Sequence, residues 1–364
     1  MKYLWTLAVL FLCNFLTAQE SENPLFSSFE NYKKAKENTP FQVKWISAGP
    51  VTNSARVEAL QGDPNQPGTM YVAFGSGNLW KTINNGLDWK PIFENQPTLG
   101  IGDIAIAPSN SEILYLGTGE SLRKNRNFTM PGTGVYRSDD GGETWAHLGL
   151  EETWHIGEIV VHPHNPDIVF VAAMGKFWSE STSKGIYRTI NGGKDWERVL
   201  YINDNTRAND IVIAHSNPNI VYASMWENND STNIAESVYG PNSGIYYSFD
   251  GGSTWKRSKT GLPDDPKIGR IGLAVSYQNA QKVYALMDNR NETEGNSAEV
   301  YQSLNGGFTW KKSHNDTLRI FPGNNIGWYF ADIYVSPTND DEIYSLGVRM
   351  AHSKDGGKTF STVG

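Results

Sequence analysis

Six copies of one eight-residue pattern run along the chain and leave few folds open to it. They begin at Thr82, Ser138, Thr189, Ser248, Ser303 and Ser353. Each opens with Ser or Thr. Each carries Asn84, Asp140, Asn191, Asp250, Asn305 or Asp355 at its third position and glycine at its fifth. Each closes on Trp or, in the last copy, on Phe360. The starts are 56, 51, 59, 55 and 50 residues apart. That period suits a four-stranded unit with some long loops. A chain of 364 residues has room for two or three ordinary domains. The repeat predicts an array of like units instead.

Each residue type in the pattern has a physical task. The Ser or Thr hydroxyl and the Asp or Asn side chain bond backbone groups within a tight turn. Glycine at the fifth position permits positive φ. The closing aromatic packs into its own unit. This is the Asp-box pattern, and it reads as a folding device joining two strands. Its acids, Asp140, Asp250 and Asp355, are read as structural and not catalytic.

The rest of each repeat is as regular. A first strand ends in a Pro or Asn turn at Ile104–Pro108, Ile159–Pro163 and Ile333–Pro337. A second strand follows at Tyr71–Ala73, Ile113–Leu116, Ile168–Val171, Ile220–Ala223 and Val283–Leu286. A third enters the box at Gly134–Arg137, Gly185–Arg188 and Gly244–Tyr247, and a fourth begins at Trp145, Trp196 and Trp255. Alternation and turn punctuation both mark these as strands. The predicted fold is all-β, a propeller of about six four-stranded blades over residues 43–364. The short run Val43–Ser47 looks like a fourth strand without its first three. Either it closes a six-bladed ring, or it pairs with a later blade beyond residue 364. The second reading is favoured, because the sixth box is followed by only four residues.

Composition agrees with many short strands joined by glycine turns and packed through aromatics. There are 36 Gly and 12 Trp, and only 19% of residues are charged. The net charge of -8 comes with no basic stripe, which disfavours nucleic acid and anionic membrane surfaces as partners. Residues 1–18 read as an export signal. Lys2 supplies the positive start, Tyr3 to Leu16 the apolar run, and Leu16-Thr17-Ala18 the cleavage site. Export places the protein outside the cell, in a periplasm or at a cell surface. No membrane span is expected after the signal is removed. Cys13 leaves with the signal, so the mature chain has no disulfide. Residues 19–42 read as a polar, loosely held lead-in.

The histidines His162 and His164 sit in the turn that reads Asp63-Pro-Asn-Gln-Pro67 in the first unit. They are therefore read as turn residues and not as metal ligands. Gly117-Thr-Gly-Glu120 lacks the lysine and the following helix of a phosphate loop.

Beyond the box, several segments carry a family likeness. They are Trp45–Pro50 with Ala55–Val57, Leu116–Glu120, His155–Pro163, Met225–Glu227 and Ile268–Leu273. The chain resembles, over about residues 41–364, large bacterial secreted proteins of the BNR-repeat or sortilin-N-terminal (VPS10-like) kind, some named glycosyl hydrolases. The resemblance implies a propeller and a chain longer than this one. The fold also resembles that of xyloglucanases and sialidases. Gly75, however, stands where the xyloglucanase pattern has an Asp after the second strand of its first blade, and hydrolysis by two carboxylates needs both. The sialidase arginine motif has only a weak echo at Ser54–Val57.

In a propeller the loops after the second and fourth strands share one face. Long loops on a rigid scaffold are where binding resides. These loops supply the binding candidates Glu120, Trp154, His155, Trp178, Trp226, Glu227, Asp288 and Trp328. Phe128, Phe177, Asp204, Tyr239 and Tyr329 stand beside them. Aromatic faces stack on sugar rings or peptide side chains, and carboxylates fix hydroxyls, amines or a Ca2+ ion. Glu120 and Glu227 follow strand ends and are the first acid candidates. The expected role is a non-catalytic binding module for a protein, peptide or glycan. The alternative is a glycoside hydrolase with a nonstandard carboxylate pair. No cofactor is expected beyond a candidate Ca2+.

Overall fold

The computed structural model of the protein describes residues 23–39 and 56–363, apart from 122–128, 178–180, 229–237, 265, 292–297, 316–317, 319 and 322–325. The expected signal and the run Val43–Ser47 lie outside the described residues, as does Trp178.

Among the described residues there are six four-stranded antiparallel sheets, each built in chain order. Blade 1 holds β1 (Val57–Gly62), β2 (Met70–Phe74), β3 (Asn78–Thr82) and β4 (Lys90–Pro91). Blade 2 holds β5 (Ile101–Ile106), β6 (Leu114–Thr118), β7 (Val135–Ser138) and β8 (Ala146–His147). Blade 3 holds β9 (Ile156–Val161), β10 (Val169–Ala173), β11 (Gly185–Thr189) and β12 (Glu197–Leu200). Blade 4 holds β13 (Thr206–Ile213), β14 (Val221–Glu227), β15 (Gly244–Ser248) and β16 (Lys256–Arg257). Blade 5 holds β17 (Ile268–Val275), β18 (Val283–Asn289), β19 (Ala298–Ser303) and β20 (Lys311–Lys312). Blade 6 holds β21 (Asp332–Val335), β22 (Ile343–Leu346), β23 (Met350–Ser353) and β24 (Ser361–Val363). The all-β propeller expected from the repeat is the fold observed.

The box works as its residue types require. In blade 2, Ser138 Oγ donates to Asp140 Oδ1 at 2.7 Å and accepts the Gly142 N–H at 2.8 Å. Asp140 accepts the Thr144 N–H at 2.8 Å. Gly142 has φ 95, a region that costs a side-chain-bearing residue strain. The closing Trp145 and Trp196 donate from Nε1 to Ile92 and Leu148 of the preceding blade, so the box also ties one blade to the next. The turn at His162 follows the expected equivalence. Its Nδ1 accepts the N–H groups of His164 and Asn165, as Asp63 accepts those of Asn65 and Gln66.

The core lies between blades. One cluster joins Tyr222, Ile245 and Tyr247 of blade 4 to Ile271, Leu273 and Ala285 of blade 5. Equivalent clusters sit at the other contacts. The first strands of consecutive blades lie side by side, β1 on β5, β5 on β9, β9 on β13, β13 on β17 and β17 on β21. They line a central channel of about 480 Å³. Among the described residues β21 and β1 share no comparable packing. Val57 and Leu60 of β1 and Tyr334 of β21 stay exposed.

The described part of the lead-in is helical. Residues Pro24–Glu37 form a helix, α1. Asn23 caps it by accepting the Leu25 N–H, and Pro24 opens its first turn. Asn23 also donates from Nδ2 to the Gly132 carbonyl at 3.0 Å, and Phe26 meets His147 edge-on. A polar composition hid these anchors, because capping and one aromatic contact need little apolar sequence.

Candidate functional site

The second strand of blade 2 ends at Thr118. Gly119, with φ 92, turns the chain so that Glu120 points into the molecule. Glu120 is fully buried. Its Oε1 accepts from Arg56 Nε at 2.8 Å and from a second guanidinium nitrogen. Arg56 is thus clamped to the first acid candidate from 64 residues away in the chain. Glu227 accepts the Asn242 N–H at 2.7 Å and lies against Gly240. Neither contact joins Glu120 to Glu227. The acid beside Glu120 is instead Glu58 of β1. A Cβ at Gly75 would meet Glu58 Oε1 at 2.8 Å and Glu120 Cδ at 3.0 Å. The missing carboxylate at Gly75 thus leaves room that two others fill. Glu58 also accepts from Ser121 Oγ at 3.1 Å.

The aromatic candidates turn inward. Trp226 is 2% exposed and donates from Nε1 to the Val238 carbonyl at 2.9 Å. It packs with Met174, Phe177, Val238 and Trp328. Tyr239 and Tyr329 lie against this cluster with part of each ring exposed. His155 is buried and stacks on Phe177 at 4.0 Å and 13°. Burial, followed by the charge of Arg207, lowers its pKa to about 3, so it stays neutral. Trp154 adopts φ 58, is half-buried, and has Lys176 Nζ 5.2 Å above its ring. Asp288 is fully buried, 3.7 Å from Arg290, in space left by Gly269 and Gly327. Asp204 accepts the Tyr201 hydroxyl. The basic residues Arg123, Lys124 and Arg126 and the aromatic Phe128 lie outside the described residues.

One set of residues escaped the sequence reading. Four first strands place an acid at the matching point, Asp103, Glu158, Asp210 and Asp332, where blades 1 and 5 have Ala59 and Gly272. In blades 2, 3 and 4 the acid directly follows a bulged Gly102, Gly157 or Asn209. A bulge re-aims its neighbour. Glu158, Asp210 and Asp332 line the channel. Asp103 Oδ2 accepts the Ile159 N–H of blade 3, and Asp210 Oδ2 accepts the Leu273 N–H of blade 5, both at 2.8 Å. Arg270 donates to Asp332 at 3.1 Å. The recurring acid set directly before Ile, at Asp103, Glu158, Asp210 and Asp332, was the available signal.

No group of three His, Cys, Asp or Glu side chains placed to hold a metal occurs among the described residues. No helix among them is long and apolar enough to cross a membrane.

The fold and its six boxes define the class, a six-bladed Asp-box β-propeller. The family model described as Sortilin, neurotensin receptor 3 (Sortilin-Vps10) matches residues 133–262. The xyloglucanase Xgh74A of Acetivibrio thermocellus is 24% identical over 357 aligned residues, covering 79% of this chain and 39% of that protein. The chain therefore spans about two fifths of that relative's length. The solved GH74 xyloglucanase of Xanthomonas campestris superposes with a TM-score of 0.58 at 17% identity, covering 82% of this chain and 45% of its own. YCF48 bound to D1 peptide superposes with a TM-score of 0.51 at 12% identity, covering 85% and 82%. These structures share the fold. The chain is thus sortilin-like and xyloglucanase-like in its propeller, as its motifs led one to expect.

Proposed function

We propose that the chain is a non-catalytic binding module, exported from the cell, that recognises a protein, peptide or glycan. The observation that carries this reading is Glu120. A general acid must reach substrate and hold a transferable proton. Glu120 is sealed from solvent and clamped by a guanidinium. The inward Trp226 and Trp328 pack into a buried cluster with Met174, Phe177 and Val238, so neither ring is open for a sugar to stack on. What the loop face still offers is a rim of partly exposed rings, Trp154, Tyr239 and Tyr329. Such rings suit stacking on a sugar or an apolar side chain. A propeller of the same fold has been solved with a peptide bound. Export rests on Lys2, the apolar run to Leu16 and the small residue Ala18.

A second reading has one observation in its favour. Glu58 and Glu120 converge on the space over Gly75, the arrangement a hydrolase with an unusual acid pair would need. The full-length secreted form decides between the two. Glycan and peptide arrays measure binding, and reducing-sugar release is assayed on xyloglucan and on any glycan bound. Binding that Trp154→Ala with Tyr329→Ala removes, without sugar release, supports the module. Sugar release that Glu58→Gln and Glu120→Gln abolish overturns it.

A further inference from the structure

Three places in the chain set asparagine directly before glycine: Asn85-Gly86, Asn191-Gly192 and Asn305-Gly306. All three fall inside the repeated box. Glycine has no Cβ, so its backbone nitrogen is poorly shielded from the side-chain amide of the residue before it. That nitrogen can attack the amide carbon. Whether it does depends on how firmly the fold holds the two groups.

Two of the three pairs are held on both sides. Asn191 Oδ1 accepts from Thr189 Oγ1 at 2.9 Å and from the Asp195 N–H at 3.1 Å, and its Nδ2 donates to Asp195 Oδ2 at 2.9 Å. Asn305 Oδ1 accepts from Ser303 Oγ and from the Thr309 N–H, both at 3.0 Å, and its Nδ2 donates to Thr309 Oγ1 at 2.8 Å. The attacking nitrogens are tied as well. The Gly192 N–H donates to the Asp167 carbonyl at 2.9 Å and the Gly306 N–H to the Gln281 carbonyl at 2.8 Å, and both glycines are buried.

The first box departs at its fourth position. Asn84 makes the box contacts, accepting from Thr82 Oγ1 and from the Asp88 N–H. Asn85 then stands where the other boxes have Gly141, Gly192, Gly251, Gly306 and Gly356 at φ 65 to 75. Its own φ is 57, a left-handed conformation that asparagine tolerates. Its side chain is exposed, lies over Gly68 and makes no hydrogen bond among the described residues. Gly86 is half-buried, and its N–H is held by one side-chain hydroxyl, Thr82 Oγ1 at 3.0 Å.

We propose that Asn85 is a site of spontaneous deamidation, the one of these three pairs that the native fold leaves reactive. The Gly86 nitrogen gives its proton to water and bonds to Asn85 Cγ. The Cγ–Nδ2 bond breaks, and the amide leaves as ammonia after taking a proton from water. Water then opens the cyclic imide. Breaking the new nitrogen–Cγ bond gives an aspartyl residue. Breaking the bond to the backbone carbonyl carbon gives an isoaspartyl linkage that runs through the side chain. One water is consumed, one ammonia is released, and nothing is oxidised or reduced. Either product adds a negative charge to the outer turn of blade 1. The isoaspartyl form also lengthens the turn by a methylene and moves Gly86 away from Thr82.

The test is peptide mapping by mass spectrometry of the full chain, kept folded in mildly alkaline buffer beside the same chain unfolded in urea. In the folded chain the peptide holding Asn85 is expected to exchange NH for O several-fold faster than those holding Asn191 and Asn305. In urea the three are expected to convert at comparable rates, because only the fold distinguishes them. Asn85→Gly restores the residue of the other boxes and sets Asn84 before a glycine. That new pair is expected to convert as slowly as Asn191, since Asn84 is held by the same box contacts. Folded-state conversion at Asn85 no faster than at Asn191 and Asn305 overturns the proposal. So does a preference for Asn85 that persists in urea, or an Asn85→Gly peptide that converts as fast as the wild type.

Discussion

Trp226→Ala separates a packed ring from an open platform. The wild-type side chain is 2% exposed among Met174, Phe177, Val238 and Trp328, and its Nε1 donates to Val238 at 2.9 Å. A buried Trp removes on the order of 200–250 Å² from water. At about 25 cal/mol per Å² this gives an upper figure of roughly 5–6 kcal/mol. Partial collapse of the cavity brings measured large-to-small losses to about 3–5 kcal/mol. The Val238 carbonyl is also left without its donor, a further loss on the order of 1 kcal/mol. The expected net is a loss of about 4 kcal/mol in urea unfolding at constant m, followed by far-ultraviolet circular dichroism. Trp226→Phe keeps much of the ring volume and is expected to lose about half as much. Leu87→Ala, at a position 84% exposed, provides the baseline and is expected to stay within about 0.5 kcal/mol. A loss below about 1 kcal/mol for Trp226→Ala would refute the packed cluster and return this ring to the list of ligand platforms.

Three further outcomes are expected. Gly272→Ala in β17 places a Cβ 2.0 Å from the Ala331 carbonyl of the neighbouring blade, and is expected to cost about 3 kcal/mol or abolish soluble yield, read by thermal melting. Ser138→Ala removes the buried acceptor of the Gly142 N–H and is expected to cost about 1–3 kcal/mol in urea unfolding. The box acids Asp140, Asp250 and Asp355 are lowered to about 2, first by the hydroxyl and then by the N–H of Thr144, Thr254 and Thr359. Their folded values lie below the unfolded value of about 4, so what they contribute is present above that pH and lost as pH falls from about 4 to 2. Acid unfolding in that window checks it, and Asp250→Asn is expected to flatten the curve.

The candidate site was only partly legible. Glu120, Trp154, His155 and Trp328 lie outside strands, whereas Trp226, Glu227 and Asp288, expected in loops, lie inside the ends of β14 and β18, and the sequence carries no sign of which way a side chain turns there. Gly119 bends Glu120 inward toward Arg56, which lies 64 residues earlier. Trp226 and Trp328 were read as candidates for an open face, but the hydrophobic effect gathers them with Phe177 once the loops of different blades meet. The channel ring was missed for the opposite reason. Each acid looks like one polar residue in a strand, and only closing the blades brings Asp103, Glu158, Asp210 and Asp332 into one space.

The sequence by itself determined the repeat, the four-stranded unit, the box turns and the order of the strands. These are local matters, governed by turn chemistry and alternation within about fifty residues. Only the tertiary structure decided which charges face one another, which aromatics are buried and how α1 is anchored. Those depend on contacts between blades, where side chains distant in the chain compete for the same space and the same partners, and no local pattern encodes the outcome.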